Sequence, residues 1–529
     1  MSITKVTKMT NNQKTTFEGG VGYETTFKET LAEFFSLGLL NGNFYQSEEE
    51  VLKKGKAIFE RALVECPEYA TKCAIYGNNV NSLKLVPTIW LVYVSTLEDK
   101  TLFKKAFPRI IRNPKMLHDF LNIARKGGIR EGLGRSIKKV INEWLLERLN
   151  EYQVTRNKGK LSEVIKVTRP SFQEEEFQNY MKYLSKDELT FPRAKALKEV
   201  LAFMEEGTLN ETVLHLIEEH RLQLEELKHQ TKTLSDDDKK ALYEKMYKGL
   251  NYNALILNLV ALERVFAVQT RTVSKYIVKN GKYMPFNQKI VVETDIPQPI
   301  IDMVVERIQD VEMYRKSNML PFALINAERM VVTEAFKQAL GRLFQQIAEE
   351  AFSIDSSVQL MVGVDTSGSM SSAVTDTGSL LCVDVASLFG SLMKKSHTNT
   401  KVFAVASTMK EVPVHKQDDV FRMSEKIAST NVGHGTYFEQ IMSHYDREKY
   451  VVLITDSEQA DNLEKRWLKA NKPDGAKLIV WQLQPYHTRI SKHSSVVYVC
   501  GYSDRLLGLI KNIMEGKIGQ VEEIERIQL

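Results

Sequence analysis

Apolar residues recur every three or four positions, with charges between them, through most of the stretch from Thr26 to Phe352. That spacing predicts a long run of amphipathic helices. KETLAEFFSLGLL (28–40), EEVLKKGKAIFERALVE (49–65), NETVLHLIEEHRLQLEELKHQ (210–230) and ERMVVTEAFKQALGRLFQQIAEEAF (328–352) show it most plainly. Breaks at Asn113-Pro114, Gly127-Gly128 and Arg169-Pro170 separate the helices. No strict sequence period is present, yet many consecutive helices with short turns predict stacked pairs in a HEAT-like solenoid. Separate helical bundles are the alternative. Residues 282–299 are less helical and read as a connector inside this domain. Residues 1–16 are polar and read as a disordered tail.

After a short polar linker at Ser353–Ser357 the pattern changes. VQLMVGVD (358–365), KVFAVAS (401–407), YVVLITD (450–456), KLIVWQL (477–483) and VVYVCGY (496–502) are nearly continuous apolar runs, as strands covered on both faces require. Helical patterns lie between and after them, at 380–395, 462–471 and 504–516. Alternation of this kind predicts a mostly parallel, Rossmann-like α/β sheet. EVPV (411–414), with its proline, fits an edge strand. The expected division is therefore a tail (1–16), a helical repeat domain (17–357) and an α/β domain (358–529).

A chain of 529 residues is too long for one ordinary core, and 43% hydrophobic with 26% charged residues is an ordinary globular composition. No apolar run approaches the ~18 residues of a membrane span. The start, MSITKVTKMTNNQKTT, lacks the apolar core of a signal peptide, and four scattered cysteines (Cys66, Cys73, Cys382, Cys500) support neither a disulfide framework nor a zinc cluster. A cytoplasmic protein is expected, without membrane attachment and monomeric. The net charge of +5 hides an uneven distribution: residues 101–170 hold 17 Lys and Arg against 6 Asp and Glu. Such a block is an electrostatic footprint for a polyanion, although solvated basic helix faces would give the same count.

Two sets of residues carry candidate chemistry. The first strand of the α/β region runs into DTSGSM (365–370), where Asp365, Ser367 and Ser369 offer three oxygen donors from one loop. Thr436, in the Gly-rich GHGTYF, and Asp456, at the end of YVVLITD, add two more from loops at the same sheet edge. Hard divalent cations such as Mg²⁺ favour oxygen donors of this kind. Capping of helices and turns could explain one of these hydroxyls but hardly all five residues. The D-x-S-x-S run, the isolated Thr and the strand-ending Asp resemble the metal-ion-dependent adhesion site of von Willebrand A domains. In such domains a partner's acidic group typically completes the coordination.

The second set lies in the basic block. On a helix through EGLGRSIKKVINEWLLERL (131–149), Leu133, Ile137, Val140, Ile141, Trp144 and Leu145 fall on one face, and Arg135, Lys138 and Lys139 on the other. Lys126 and Arg130 precede this helix; Lys158, Lys160, Lys166 and Arg169 follow it. These nine are the candidate RNA contacts. GLGRSIKKVINEWL resembles a characteristic segment of the TROVE domain of Ro ribonucleoproteins, and FEGG (17–20), NYNALILNLVALE (251–263), NMLPFALINA (318–327) and CGYSDRLLGLIKNIMEGKI (500–518) resemble further segments of that family. Ro proteins join a TROVE domain to a von Willebrand A domain in this order, so the resemblance spans about Phe17 to Ile518 and points to a bacterial or phage-type homologue. It implies a ring of HEAT-like repeats closed by the A domain, binding of small noncoding Y-like RNAs and of single-stranded 3′ ends of misfolded RNA, and an exoribonuclease as a further partner in RNA quality control. The chain departs from the family pattern at Arg169, which stands where a His is usual, and in the charged segment 210–247, which has no counterpart.

No enzyme is expected. His215 and His220 lie five apart, about 140° around a helix and not paired for a metal, and no P-loop, HExxH or nucleophile-elbow pattern is present. The alternative to RNA binding is a scaffold whose solenoid takes acidic proteins and whose A domain takes a carboxylate. Nucleic acid co-purifying with the protein separates the two.

Overall fold

A computed structural model describes residues 13–38, 40, 46–279, 282–374 and 380–529. Two compact units divide the chain: Met1–Ile110 with Leu320–Phe322 and Phe344–Leu529, and Ile111–Met319 with Ala323–Leu343. The first twelve residues of the expected tail lie outside the described residues. Its last part does not fit a disordered tail, because Gln13–Thr15 form strand β1, antiparallel to β2 (Val21–Glu24).

The first unit continues with α1 (Phe27–Leu37), α2 (Glu48–Glu65), α3 (Pro67–Asn79), α4 (Leu85–Val94) and α5 (Thr101–Ile110). Thr26 and Ser47 open α1 and α2 with reciprocal capping boxes to Glu29 and Glu50, which satisfy amides that each helix start leaves without partners. Phe34, Phe35, Phe59 and Trp90 meet edge-on or stacked between these helices, and the Trp90 indole donates to Thr71 Oγ1 at 2.9 Å.

The second unit begins with α6 (Pro114–Lys126), α7 (Arg135–Arg148), α8 (Glu151–Arg156) and α9 (Lys158–Thr168) and goes on through further helices to Tyr252–Val265. On α7 the buried residues are Ile137, Val140, Ile141, Trp144 and Leu145, the face that the spacing predicts. Three expectations need correction here. The helix expected over 210–230 is broken into Glu211–Glu219 and Leu224–Leu227, with Arg221 at φ 48° between them. The connector expected at 282–299 is half of a long antiparallel hairpin, β3 (Ala267–Lys279) with β4 (Lys282–Thr294), so the helical half is not all-α. The helix expected over 328–352 is two helices, Pro321–Met330 and Glu334–Ala351. Between them the buried Glu263 carboxylate accepts from Val332 N (2.9 Å) and Thr333 N (2.8 Å), which satisfies backbone amides that a continuous helix would have used internally.

Within the first unit, strands β5 (Leu360–Asp365), β6 (Thr400–Val405), β7 (Met409–Glu411), β8 (Tyr450–Thr455) and β9 (Lys477–Gln482) are followed by β10 (Thr488–Arg489) and β11 (Val496–Cys500). Six of them form a sheet in the order β11-β9-β8-β5-β6-β7, parallel except for β7. The edge strand thus precedes Pro413 and takes only Glu411 from the expected EVPV segment; proline has no amide to give to a ladder. The helix Cys382–Ser396 lies close on β5. A Cβ on Gly390 would come within 2.8 Å of Val364 Cγ2, so glycine permits the approach. On the other side Met361, Leu453, Val480, Trp467 and Phe438 belong to one buried cluster.

The two sequence-distant parts of this unit are bound by hydrogen bonds. β2 pairs with β10, placing Glu24 opposite Thr488. The C-terminal helix Gln520–Glu525 reaches α1 through Gln520 Nε2, which donates to Ser36 Oγ at 3.0 Å. Glu33, fully buried on α1, accepts from Gln482 Nε2 (3.2 Å) and His487 N (2.9 Å). All four cysteines are free. No helix among the described residues is long and apolar enough to cross a membrane.

Candidate metal centre and basic surface

Chain order along the sheet fixes where the first site must be. From β5 the chain proceeds to β6 on one side, and β8 lies on the other. Loops leaving the C-terminal ends of β5 and β8 therefore diverge and leave a crevice, the usual ligand position in open α/β sheets. Asp365 ends β5 and Asp456 follows β8, so the two carboxylates share this crevice.

The three loops are fastened to one another by backbone. Gly368 N donates to His434 O at 3.0 Å, and Ala460 N to Thr436 O at 2.7 Å. Gly433, at φ 87°, lets the middle loop turn against Ser407, where a Cβ would meet the side chain at 2.6 Å. Asp365 Oδ1 accepts from Ser367 N at 2.9 Å and its Oδ2 from Thr455 Oγ1 at 2.6 Å. The hydroxyls of Ser367 and Ser369 are 3.2 Å apart. Asp365, Thr436 and Asp456 have no solvent exposure, and Ser367 and Ser369 have almost none. The five residues singled out by spacing are thus gathered at one buried point.

Their chemistry is unbalanced as it stands. Asp456 Oδ2 and Thr436 Oγ1 are buried without a hydrogen-bond partner. Burial pushes the Asp365 carboxyl up to about 6, with the Glu18 carboxylate adding to the rise and hydrogen bonds from Ser367 and Thr455 opposing it. Burial raises Asp456 well above the ordinary range, and the charge of Asp365 raises it further. Two buried carboxylates with orphaned oxygens and three hydroxyls lack a positive charge. A hard divalent cation fits that deficit and that donor set. Among the described residues no three His, Cys, Asp or Glu side chains converge as ligands, so a zinc-type site does not arise. The spacing did not reveal Thr455, which holds Asp365 in place, although it directly precedes Asp456. It also did not reveal Glu458, whose carboxyl burial pushes up to about 7.

The basic candidates lie in the second unit. Lys126, Arg135, Lys139, Lys160, Lys166 and Arg169 are exposed; Arg130, Lys138 and Lys158 are half-buried. α9 packs against α6, α7 and α8. Lys126 and Lys166 both lie close enough to Glu163 to help hold its carboxyl below the ordinary range, after the larger effect of His118, which bonds it at 2.8 Å. Arg169 caps α9 in the left-handed region at φ 50°, a place that glycine or asparagine would take with less strain. Lys158 is less available than its neighbours: it pairs with Asp187 and lies 4.4 Å from the Tyr183 ring centre. Arg130 Nε bonds Gly132 O at 2.5 Å, and Lys139 stands 3.9 Å from Glu143 on the helix surface.

Charge at the helix starts is inverted in this region. α6, α7 and α9 have no acidic residue in the first turn, and Lys115, Arg135, Lys138, Lys158 and Lys160 stand at or near their N-terminal ends. Cations there oppose the helix dipole, whereas acids would be stabilising by about 0.3–1 kcal/mol each. Elsewhere the chain follows the ordinary rule, with Glu48–Glu50 opening α2 and Asp236–Asp238 opening Asp236–Tyr247. An external anion would supply what these starts lack.

A largely helical chain that carries one mixed, mostly parallel sheet, with a carboxylate-and-hydroxyl crevice at the sheet's switch point, defines the class. Among solved structures the chain is similar to the crystal structure of the Ro (RSR) protein of Deinococcus radiodurans, with a TM-score of 0.60 and 15% identity, covering 93% of this chain and 100% of that one. At that identity the likeness is one of fold: this chain has the fold of a Ro protein. No protein-family model and no curated protein sequence matches it.

Proposed function

We propose that this chain is a Ro-type RNA-binding protein. It holds small Y-like noncoding RNA and single-stranded 3′ ends of misfolded RNA, and acts in RNA quality control in the cytoplasm, as a monomer and without catalysis of its own. An exoribonuclease is its protein partner, for which it serves as a scaffold. The observation that carries the reading is the inverted charge at the starts of α6, α7 and α9, within a segment holding 17 Lys and Arg against 6 Asp and Glu. Phosphates answer that inversion, with dipole and side chains acting together. The Ro fold over 93% of the chain and the resemblance of GLGRSIKKVINEWL to a TROVE segment support the same conclusion. Ring closure by the A domain belongs to this reading, and small-angle scattering of the whole protein tests it.

Asp365, Ser367, Ser369, Thr436 and Asp456 hold one divalent cation, Mg²⁺ by donor chemistry, directly or through water. The ion would neutralise two buried carboxylates and draw three loops together.

The test is purification of the protein followed by its absorbance at 260 nm and by titration with single-stranded RNA at rising salt. Bound nucleic acid and an affinity that falls steeply with salt are expected, since phosphate contacts release counterions. A protein free of nucleic acid that ignores added RNA would sink the proposal in favour of a scaffold for acidic proteins. For the metal, calorimetry should show Mg²⁺ binding that Asp365→Ala abolishes.

A further inference from the structure

The turn between β1 and β2 lies directly on the loop that follows Asp456. Phe17 N donates to Glu458 Oε2 at 2.6 Å, and Gly20 N to Gln459 O at 3.1 Å. Thr16 Oγ1 donates to Gln459 O at 2.5 Å, and Val21 N to Asp461 O at 3.1 Å. Contact is close enough to exclude any side chain at Gly20: a Cβ there would lie 2.3 Å from Gln459 O and 2.6 Å from Asp461 O. Phe17 adds an edge-on contact with Tyr486, ring centres 5.7 Å apart. Four hydrogen bonds and one ring contact thus fix the two sides of this turn.

Its tip is Glu18, followed by Gly19 at φ 89°. The turn closes on itself, Gly19 N bonding Thr16 O at 3.0 Å and Thr16 N bonding Gly20 O at 3.1 Å, so residue 18 cannot drift from the crevice without undoing the pairing beside it. Its side chain is half-buried, and its charge is felt at Asp365. On the opposite side, Asp456 Oδ2 and Thr436 Oγ1 are buried and without hydrogen-bond partners. A third carboxylate beside two buried ones is repulsive in the absence of a cation and favourable in its presence.

We propose that Glu18 is the acidic group that completes the metal site, supplied by the chain itself from the β1–β2 turn. This rests on the metal reading above and deepens it: the ion is a clasp between the N-terminal strands and the sheet, and an external carboxylate reaches it only by displacing Glu18. Chemically, Glu18 contributes a carboxylate oxygen to the cation, directly or across one water.

Calorimetric titration of the whole protein with Mg²⁺ and with Mn²⁺ tests this in the wild type, Glu18→Gln, Glu18→Asp and Asp365→Ala. Glu18→Gln should weaken binding by about tenfold to a hundredfold, the loss typical when a partner of a metal site is removed. Glu18→Asp should restore part of it, and added acetate should strengthen metal binding by Glu18→Gln while leaving the wild type unchanged. Mg²⁺ should slow amide exchange across residues 16–24 in the wild type and not in Glu18→Gln. Wild-type affinity in Glu18→Gln, with the same exchange response, overturns the role of Glu18 and leaves the metal reading standing. No binding of either ion by the wild type overturns both.

Discussion

Arg193 and Glu226 form an ion pair at 2.5 Å in the second unit, with side chains only 5% and 4% exposed. Arg193 Nε also donates to Thr155 Oγ1 (3.1 Å), and another guanidinium nitrogen to His220 O. Glu226 accepts from Thr155 Oγ1 (2.9 Å) and Gln223 N (2.9 Å). Replacing Glu226 by Leu leaves a buried guanidinium without its counter-ion and strands two further donors. Removing one partner of such a pair costs about 3–5 kcal/mol, most of it the uncompensated charge. Amide exchange followed by mass spectrometry reads the cost segment by segment, without assuming that 529 residues unfold as one. Protection over α8 and residues 192–228 should fall by about a hundredfold or more, since a factor of ten corresponds to about 1.4 kcal/mol. Raising salt should change this little, because a pair so deeply buried is weakly screened. Arg193→Met combined with Glu226→Leu should recover part of the loss, as apolar groups of similar volume tolerate the site. Protection in Glu226→Leu within threefold of wild type, or a double variant worse than the single one, would refute the reasoning.

Other outcomes follow from features already described. Gly20→Ala should free the β1–β2 turn at a cost of about 1–3 kcal/mol, as overpacking against backbone does, and limited proteolysis near residues 13–24 should detect it. Replacing Arg135, Lys138 and Lys139 together by Ala should weaken RNA binding and flatten its salt dependence with the fold intact; an unchanged slope would remove α7 from the RNA surface. Burial pulls His397 below its ordinary value, against a hydrogen bond from its ring to the Asp355 carbonyl. The folded state therefore favours the neutral ring, so stability is intact above about pH 6.5 and falls as pH drops through the lower folded value. Melting curves over that range should show the loss, and His397→Gln should flatten it.

Patterns that one segment carries by itself were legible in the sequence. The apolar runs at 360–365, 450–455 and 477–482 are strands because central parallel strands are buried on both faces and leave no room for alternation. Asp365, Ser367 and Ser369 were readable for a similar reason: one short loop holds all three. What depends on distant partners was not. β1 and β2 are three and four residues long, and their sheet is completed by residues 488–489. Glu18 sits in a turn whose neighbours in space are 458–461, and nothing in FEGG announces a carboxylate facing a crevice. The break at Val331–Thr333 had no Gly or Pro to mark it; the stop is a buried carboxylate from Glu263. The charged segment 210–247 looked like an insertion of unknown purpose, and Glu226 within it partners the buried Arg193.

The pairing of β2 with β10 has a consequence for synthesis on the ribosome. Residues 13–110 belong to a unit that also needs residues 344–529, so they emerge long before the partners that cover them. At about 5–20 residues per second, the wait from residue 110 to the end of the chain is roughly 20–80 s. During that time α1 has its Phe34, Phe35 and Leu37 side chains without the C-terminal helix and sheet, and β2 presents an open edge. The second unit, contiguous apart from a short return through 323–343, can fold while the rest is still being made. Nascent chains arrested before residue 490 should therefore carry a folded middle and an unprotected beginning, a natural client for a holding chaperone.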